Sequence, residues 1–258
     1  GYNLQRGNTQ RFILNHFGID FLNPSTQPAF DALLAVNPFL ERSFGKQLFV
    51  SLLFRDFSYL YTGRKNRQGK SSFVGFNLEL AGAEIWAGNT LYNSFALQSD
   101  TLKIGDTDFS QYWKLDLDLR KYKDYSPKRS IAARFNIGIA RPFGYTSDVP
   151  YVKQFYVGGP NSLRAWVQRG LGPGGYLDTL AQDPNNRFRL NPGNRFLLYQ
   201  TGDLKLEFNL EYRFDIFWML KGALFLDAGN IWTLKRDPDR CGSQFLLRQR
   251  IIDNCGPD

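Results

Sequence analysis

One arginine stands out in a long stretch of glycine, proline and polar residues. Arg164 is flanked by Leu163, Ala165 and Trp166 within VPYVKQFYVGGPNSLRAWVQRGLGPGG, residues 149–175. A guanidinium presents a planar fork of donors that can hold two carboxylates at once. Other residue types narrow the chemistry. His16 is the only histidine, so a Ser-His-Asp or Cys-His site would have to include it. It sits in an alternating stretch, where a structural role is expected. Asp116, Asp118, Glu207 and Glu211 could be paired as acid and base, but strand alternation alone brings carboxylates to one face two residues apart. GLGPGG, residues 170–175, lacks the GxxxxGK[ST] pattern of a phosphate loop and has no helical period after it. It reads as loop punctuation. Cys241 and Cys255 could close a loop disulfide in an oxidising compartment, and as a bare pair they lack the further ligands of a zinc site. No cofactor and no metal are expected.

The elements that must position Arg164 follow from composition and period. The chain has 258 residues, a net charge of +8, and 16% aromatic residues with 23 Phe and 13 Tyr. No stretch approaches the roughly 18 apolar residues of a transmembrane helix, and no signal peptide opens the chain. The basic excess is spread through alternating segments rather than gathered in a tail, which argues against nucleic acid.

Alternation at period 2 recurs along the chain. Tyr2, Asn3 and Leu4 read as a short strand, followed by strands at residues 11–21, 47–61, 71–85, 111–122, 130–141, 202–215 and 220–233. Residues 29–36 read as a short helix stopped at Asn37-Pro38. In residues 202–215, Leu204, Leu206, Phe208, Leu210, Tyr212 and Phe214 form one face, and Lys205, Glu207, Asn209, Glu211, Arg213 and Asp215 form the other. Trp113, Trp166 and Trp232 suit an interface belt, packing, or both.

Two architectures share this alternation: a soluble sandwich with a dry core, and a transmembrane barrel with an apolar face on lipid. Strand length favours the barrel. Residues 204–215 span ~40 Å at about 3.3 Å per residue, and a tilt of about 45° turns this into a rise of ~28 Å, the height of a lipid-facing band. The connections agree. Residues 22–46, 86–110 and 142–201 are long; residues 62–70, 123–129 and 216–219 are short; the tail from 234 is long. Barrels sort loops in this way, with long ones outside and short turns in the periplasm. The register would be firm, because a slip by one residue would turn Lys205 and Arg213 toward lipid at about 2–4 kcal/mol each near the midplane.

Residues 149–232 resemble the BamA/TamA superfamily of outer-membrane insertases. GGPNSLRAW, GLGPG, TGDLKLEFNLEYRF and KGALFLDAGNIW, with the upstream NPFLERSFGKQ of residues 37–47, look most like its TamA-like lipoprotein (TamL) branch. The resemblance implies an all-β fold: an antiparallel transmembrane β-barrel, here a partial barrel of about 8 strands from a 16-stranded parent. Residues 1–258 would be the barrel fragment, with an inward-folded extracellular loop at about 142–201. The POTRA domains and the first and last strands would lie outside it. The family's loop motif, Val-Arg-Gly-Phe/Tyr, falls on Leu163, Arg164, Ala165 and Trp166, with alanine in the glycine position. The family's arginine meets carboxylates on the two strands after the loop, which places Glu211 and Asp227 as its partners. Each of these two sits on its strand's polar face.

The resemblance also implies a non-enzymatic factor for protein insertion, assembly or translocation in the outer membrane of a Gram-negative bacterium. Its expected partners are outer-membrane lipids, client outer-membrane or secreted proteins, and periplasmic or inner-membrane assembly partners, with no nucleic acid. A passive pore and a soluble sandwich are the rival readings.

Overall fold

A computed structural model describes residues 1–36, 38–96, 103–104, 107–176, 182–183, 186–190 and 200–246. In chain order its elements are β1 (Tyr2–Arg6), β2 (Gln10–Asn15), β3 (Gly18–Leu22), α1 (Pro28–Val36), α2 (Pro38–Ser43), β4 (Gln47–Ser51), β5 (Asp56–Thr62), β6 (Lys70–Ala81) and α3 (Ala83–Ala96). They continue with β7 (Lys103–Ile104), β8 (Thr107–Phe109), β9 (Tyr112–Ser126), β10 (Arg129–Pro142), β11 (Gln182–Asp183), β12 (Asn186–Leu190), β13 (Leu204–Phe217) and β14 (Leu220–Trp232).

Eight strands build one antiparallel wall in the order β1-β2-β5-β6-β9-β10-β13-β14. Among the described residues β1 and β14 stand at its edges and do not meet, so the wall is an open part of a barrel. Its turns sort as the alternation predicts. Residues 7–9, 63–69, 127–128 and 218–219 make short turns at one rim, and the long connections leave from the other. One face is apolar and largely uncovered, with Leu119, Phe135, Phe208, Leu210, Leu224 and Leu226 exposed. A continuous exposed apolar band of this kind fits lipid rather than water.

The segments 11–21 and 47–61, each expected as one strand, are broken in the structure. The β2–β5 ladder pairs Asn15 with Asp56, and the β3–β4 ladder resumes with Gly18 against Ser51. The second chain therefore carries two extra residues at the corner. A bulge of this kind bends the strand pair and re-aims it. Here it lifts β3 and β4 out of the wall into a separate sheet, ordered β3-β4-β8-β7. Arg55 closes the corner: its backbone N–H donates to the Asn15 carbonyl at 2.9 Å, and its Nη2 donates to Asp20 Oδ2 at 2.7 Å. His16 lies in the break rather than on a strand, its Nδ1 bonded to the Leu53 carbonyl at 2.9 Å.

Helix α3 occupies residues expected as the end of a strand and a polar loop. Its sequence is a poor helix former, with Gly88, Asn89, Thr90, Asn93 and Ser94 in its interior. Tertiary contacts hold it. Glu84 Oε1 in the first turn accepts the Leu53 and Phe54 amides at 3.0 and 3.2 Å, tying the helix to the bulged corner. In the first long connection α1 spans the expected helix. It is followed by α2, which opens on Pro38, a residue suited to a first helical position.

The core lies at the long-connection end of the wall, on its polar face. Val149, Phe155, Val157 and Leu163 come from the connection between β10 and β13. They pack with Phe49, Ala81, Tyr112, Ala140 and Ile231 from β4, β6, β9, β10 and β14. The polar face is thus dry at one end because a loop covers it.

Candidate functional site

The tip of the covering loop is a small closed unit. The Gly159 amide donates to the Trp166 carbonyl at 2.8 Å, the Trp166 amide to the Leu163 carbonyl at 3.0 Å, and the Arg169 amide to the Val157 carbonyl at 3.0 Å. Gly158 enters it at φ +99°, and a side chain there would also run into the Val167 carbonyl. Leu163 is buried and anchors the tip. Ala165 and Trp166 are exposed. Ala165 is not among the residues at positive φ, so nothing in the backbone there demands glycine.

Arg164 reaches the two strands after the loop. Its Nη1 donates to Glu211 Oε2 at 2.6 Å. Its Nε and Nη2 donate to Asp227 Oδ2 and Oδ1 at 2.8 and 2.9 Å, a side-on pair of bonds that fits the guanidinium fork. The Arg164 backbone amide adds a further bond to Asp227 Oδ2 at 3.1 Å, so both the side chain and the main chain are held. Register explains the geometry. Glu211 lies opposite Phe225, and Asn209 opposite Asp227, so the two carboxylates are diagonal neighbours on one face. The guanidinium sits 4.0 Å from the centre of the Phe225 ring, between charge and π-face. Asn209 Nδ2 bonds both Asp227 Oδ1 at 3.0 Å and the Ser162 carbonyl at 2.8 Å. Arg213 Nε takes the other oxygen of Glu211 at 2.6 Å.

A second arginine holds the same tip from the opposite side, and the sequence reading passed over it. Arg134 Nη1 donates to Glu207 Oε1 at 2.8 Å and to the Asn161 carbonyl at 3.0 Å. Its Nη2 pairs with Asp118 at 3.0 Å, which Arg120 also binds at 2.8 Å. Ser162 Oγ donates to Glu207 Oε2 at 2.9 Å. Glu207 is 3% exposed, so the pairing is what makes its burial tolerable. Asp118, Glu207 and Arg134 all lie on polar strand faces legible in the sequence. The missing information was that β9, β10 and β13 are adjacent and in this register.

Nearer the long-connection end the contacts become apolar and cationic. The Phe155 ring lies on Gly138, where any side chain would occupy the same space. Lys114 and Lys205 flank the ring at 4.4 and 5.2 Å from its centre. Phe155 and Gly202 exchange backbone bonds of 2.9 Å, which fastens the loop's start to its end. Beside this junction Asp203 is half-buried. That burial pushes its carboxyl up to about 6, against the opposing pull of the Leu234 amide and the Arg240 and Lys235 cations, with Asp148 adding to the rise. Arg240 bonds the Thr201 carbonyl at 2.9 Å and Asp237 at 2.7 Å, and stacks over Phe39 of α2.

Of the remaining candidates, Trp232 packs edge-on against Phe245 at 5.3 Å. His16 stands at the corner, its ring against Tyr2 and away from the loop tip. Cys241 follows β14, while Cys255 lies outside the described residues, and with it the expected pairing.

No curated protein sequence matches this one. Among solved structures, BamA from Haemophilus ducreyi lacking POTRA domains 1-3 is similar at 14% identity and a TM-score of 0.49. That match covers 88% of this chain and 39% of that one, so this chain spans well under half the length of the structure it resembles. Residues 52–250 match the Omp85 superfamily domain. They include both arginine anchors, the loop they hold and the strands β5 to β14. On that match, which spans most of its length, the chain belongs to the Omp85 superfamily.

Proposed function

We infer that this chain is the loop-bearing part of an outer-membrane barrel of a Gram-negative bacterium that inserts, assembles or exports other proteins. Residues 142–201 would fold into the lumen, and Arg164 would be the pin that keeps them there. Leu163, Arg164, Ala165 and Trp166 form the loop motif, and Glu211 and Asp227 are its wall partners. The observation that carries this reading is the set of four bonds from Arg164 to two carboxylates on adjacent strands, made inside an Omp85 domain. The GGPNSLRAW and KGALFLDAGNIW wording favours the TamA-like lipoprotein branch. No reacting atom is needed for such work. The protein's contribution is a wall whose filling is held at a fixed depth, while lipids and client proteins are handled at its surface. Periplasmic or inner-membrane assembly partners belong to the same proposal, as does a disulfide between Cys241 and Cys255.

The experiment is Arg164→Ala in the full-length protein, read by the steady-state level of barrel proteins and surface-exported proteins in the outer membrane. The expected result is a normal amount of the variant with a severalfold fall in client level and new protease cleavage between residues 157 and 170. Wild-type client levels with an intact, protected loop would sink the reading. Steady ion conductance with no client defect on depletion of the whole protein would favour a passive pore.

A further inference from the structure

The positive charge of the chain has a place in the wall that the loop site does not use. We propose that the apolar face of the wall, at its short-turn end, binds the headgroup of an anionic phospholipid in the adjoining leaflet. This goes beyond the assembly reading, although it rests on the wall being a membrane wall.

The wall's register sets the site. On β9, Lys121 and Lys123 continue the row of Leu115, Leu117 and Leu119, so they point to the apolar side. In the β6–β9 ladder Lys70 lies directly opposite Lys123, Ser72 opposite Lys121, and Val74 opposite Leu119. Two ammonium groups facing each other across an antiparallel pair repel. Among the described residues no carboxylate is paired with Lys70, Lys121 or Lys123; the nearby Asp124 pairs with Lys65 of the turn. Lys123 rests on the Tyr125 ring at 4.2 Å, which orients it without neutralising it. The turns beside this trio carry Arg64, Arg67 and Lys128, and β10 opens on Arg129.

An anion between these ammonium groups turns the repulsion into attraction. What lies next to them selects the kind of anion. One step further along the same face, Val74, Leu119, Phe135 and Phe208 line up in register across four strands. A phosphate on the lysines would therefore leave acyl chains lying on this apolar row. A water-soluble acidic peptide would have to lie on the same lipid-facing strands to reach the trio. The opposite end of the rim shows interface chemistry too: Trp218 in the β13–β14 turn is 90% exposed beside Phe217 and Met219, an arrangement suited to the headgroup level. Short turns mark the periplasmic side of such barrels, so the lipid is a phospholipid of that leaflet.

The test uses the full-length protein in nanodiscs and native mass spectrometry, with phosphatidylglycerol and phosphatidylcholine of identical chains as probes. Wild type is expected to retain phosphatidylglycerol at least tenfold over phosphatidylcholine. The Lys70→Gln, Lys121→Gln, Lys123→Gln triple variant is expected to lose most of that preference. Arg64→Gln with Arg67→Gln, the same kind of charge loss in the turn, is expected to keep most of it. If the triple variant fails to insert, Lys121→Gln alone should lower retention about threefold. Equal retention of the two lipids, or a preference unchanged in the lysine variants, overturns the proposal. So does a lysine-dependent preference for lipopolysaccharide over phosphatidylglycerol, or for polyglutamate without lipid. A protein that enters no bilayer would instead overturn the membrane reading beneath it.

Discussion

The two halves of the wall solve the same problem in different ways. Strands β9, β10, β13 and β14 run for 13–15 residues, and their polar faces carry Asp118, Arg120, Arg134, Glu207, Glu211, Arg213 and Asp227. Strands β1, β2 and β5 run for 5–7 residues, and their polar faces carry mostly amides and hydroxyls. There Asn15 donates to Asp56 at 2.9 Å, Arg11 to Asn3 at 3.2 Å, and Ser58 to Asn77 at 2.9 Å. The loop tip lies on the first half. Its covering removes water, so every charge beneath it needs a partner, and the partners become the anchors of the loop. Where nothing covers the wall, water solvates the face and single weak bonds suffice. Charge density on a strand's polar face thus marks the part of the wall that is covered by protein.

That comparison can be broken by substitution. The largest effect is expected from Phe155→Ala, which removes the ring seated on Gly138 and its contacts with Lys114 and Lys205. It should cost about 3–5 kcal/mol of loop docking, seen as a lower unfolding temperature and early hydrogen exchange across residues 149–170. A loss no larger than that of an exposed phenylalanine would mean that the loop does not depend on its apolar end.

Asp203 gives a pH signature to the covered half alone. Its carboxyl is at about 6 in the folded chain, well above the ordinary value of 3.8. Folding therefore favours its neutral form, and stability rises as pH falls through 6 toward 4. Asp203→Asn keeps an acceptor for the Leu234 amide and removes the charge. It should stabilise the protein by up to about 3 kcal/mol at pH 7.5, with the gain vanishing near pH 4 in paired thermal melts. A gain that does not change with pH would show that Asp203 is solvated in the folded protein.

Arg164→Lys tests the fork rather than the charge. A lysine keeps one cation but loses the side-on pair on Asp227, so about 1–2 kcal/mol of docking should be lost, less than in Arg164→Ala. Identical behaviour of Lys and Arg at this position in protease protection would remove the geometric argument. The smallest effect belongs to the uncovered half. Asn15→Ala should cost less than about 1 kcal/mol, and a loss equal to that of the arginine variants would erase the distinction between the two halves.

How much of this could be read beforehand depends on the range of the interaction. Leu204 to Phe214 alternate with Lys205 to Arg213 within a dozen residues, so the faces of β13 follow from period alone. Arg164, Glu211 and Asp227 were legible through the resemblance of LRAW, NLEYRF and ALFLDAGNIW to motifs of the superfamily, and alternation agreed by putting both carboxylates on polar strand faces. Arg134 and Glu207 carried the same kind of signal, yet two charges 73 residues apart become partners only when β10 and β13 pair. The corner at residues 52–55 looked like uninterrupted strand because a two-residue bulge leaves the apolar run LLF intact. Helix α3 was illegible for the opposite reason: its residues favour other conformations, and Glu84 caps the corner amides only once the corner exists.

Sequence by itself therefore determined the long strands of the wall, their faces, and the sorting of long and short connections. These are local properties, set by side-chain alternation and by where glycine, proline and polar residues interrupt it. Tertiary structure decided the bulged departure of β3 and β4, the helix held by Glu84, the Arg134 anchor, and the row of Lys70, Lys121 and Lys123 on the apolar side. Each of these depends on cross-strand register, which brings together residues that no local pattern connects.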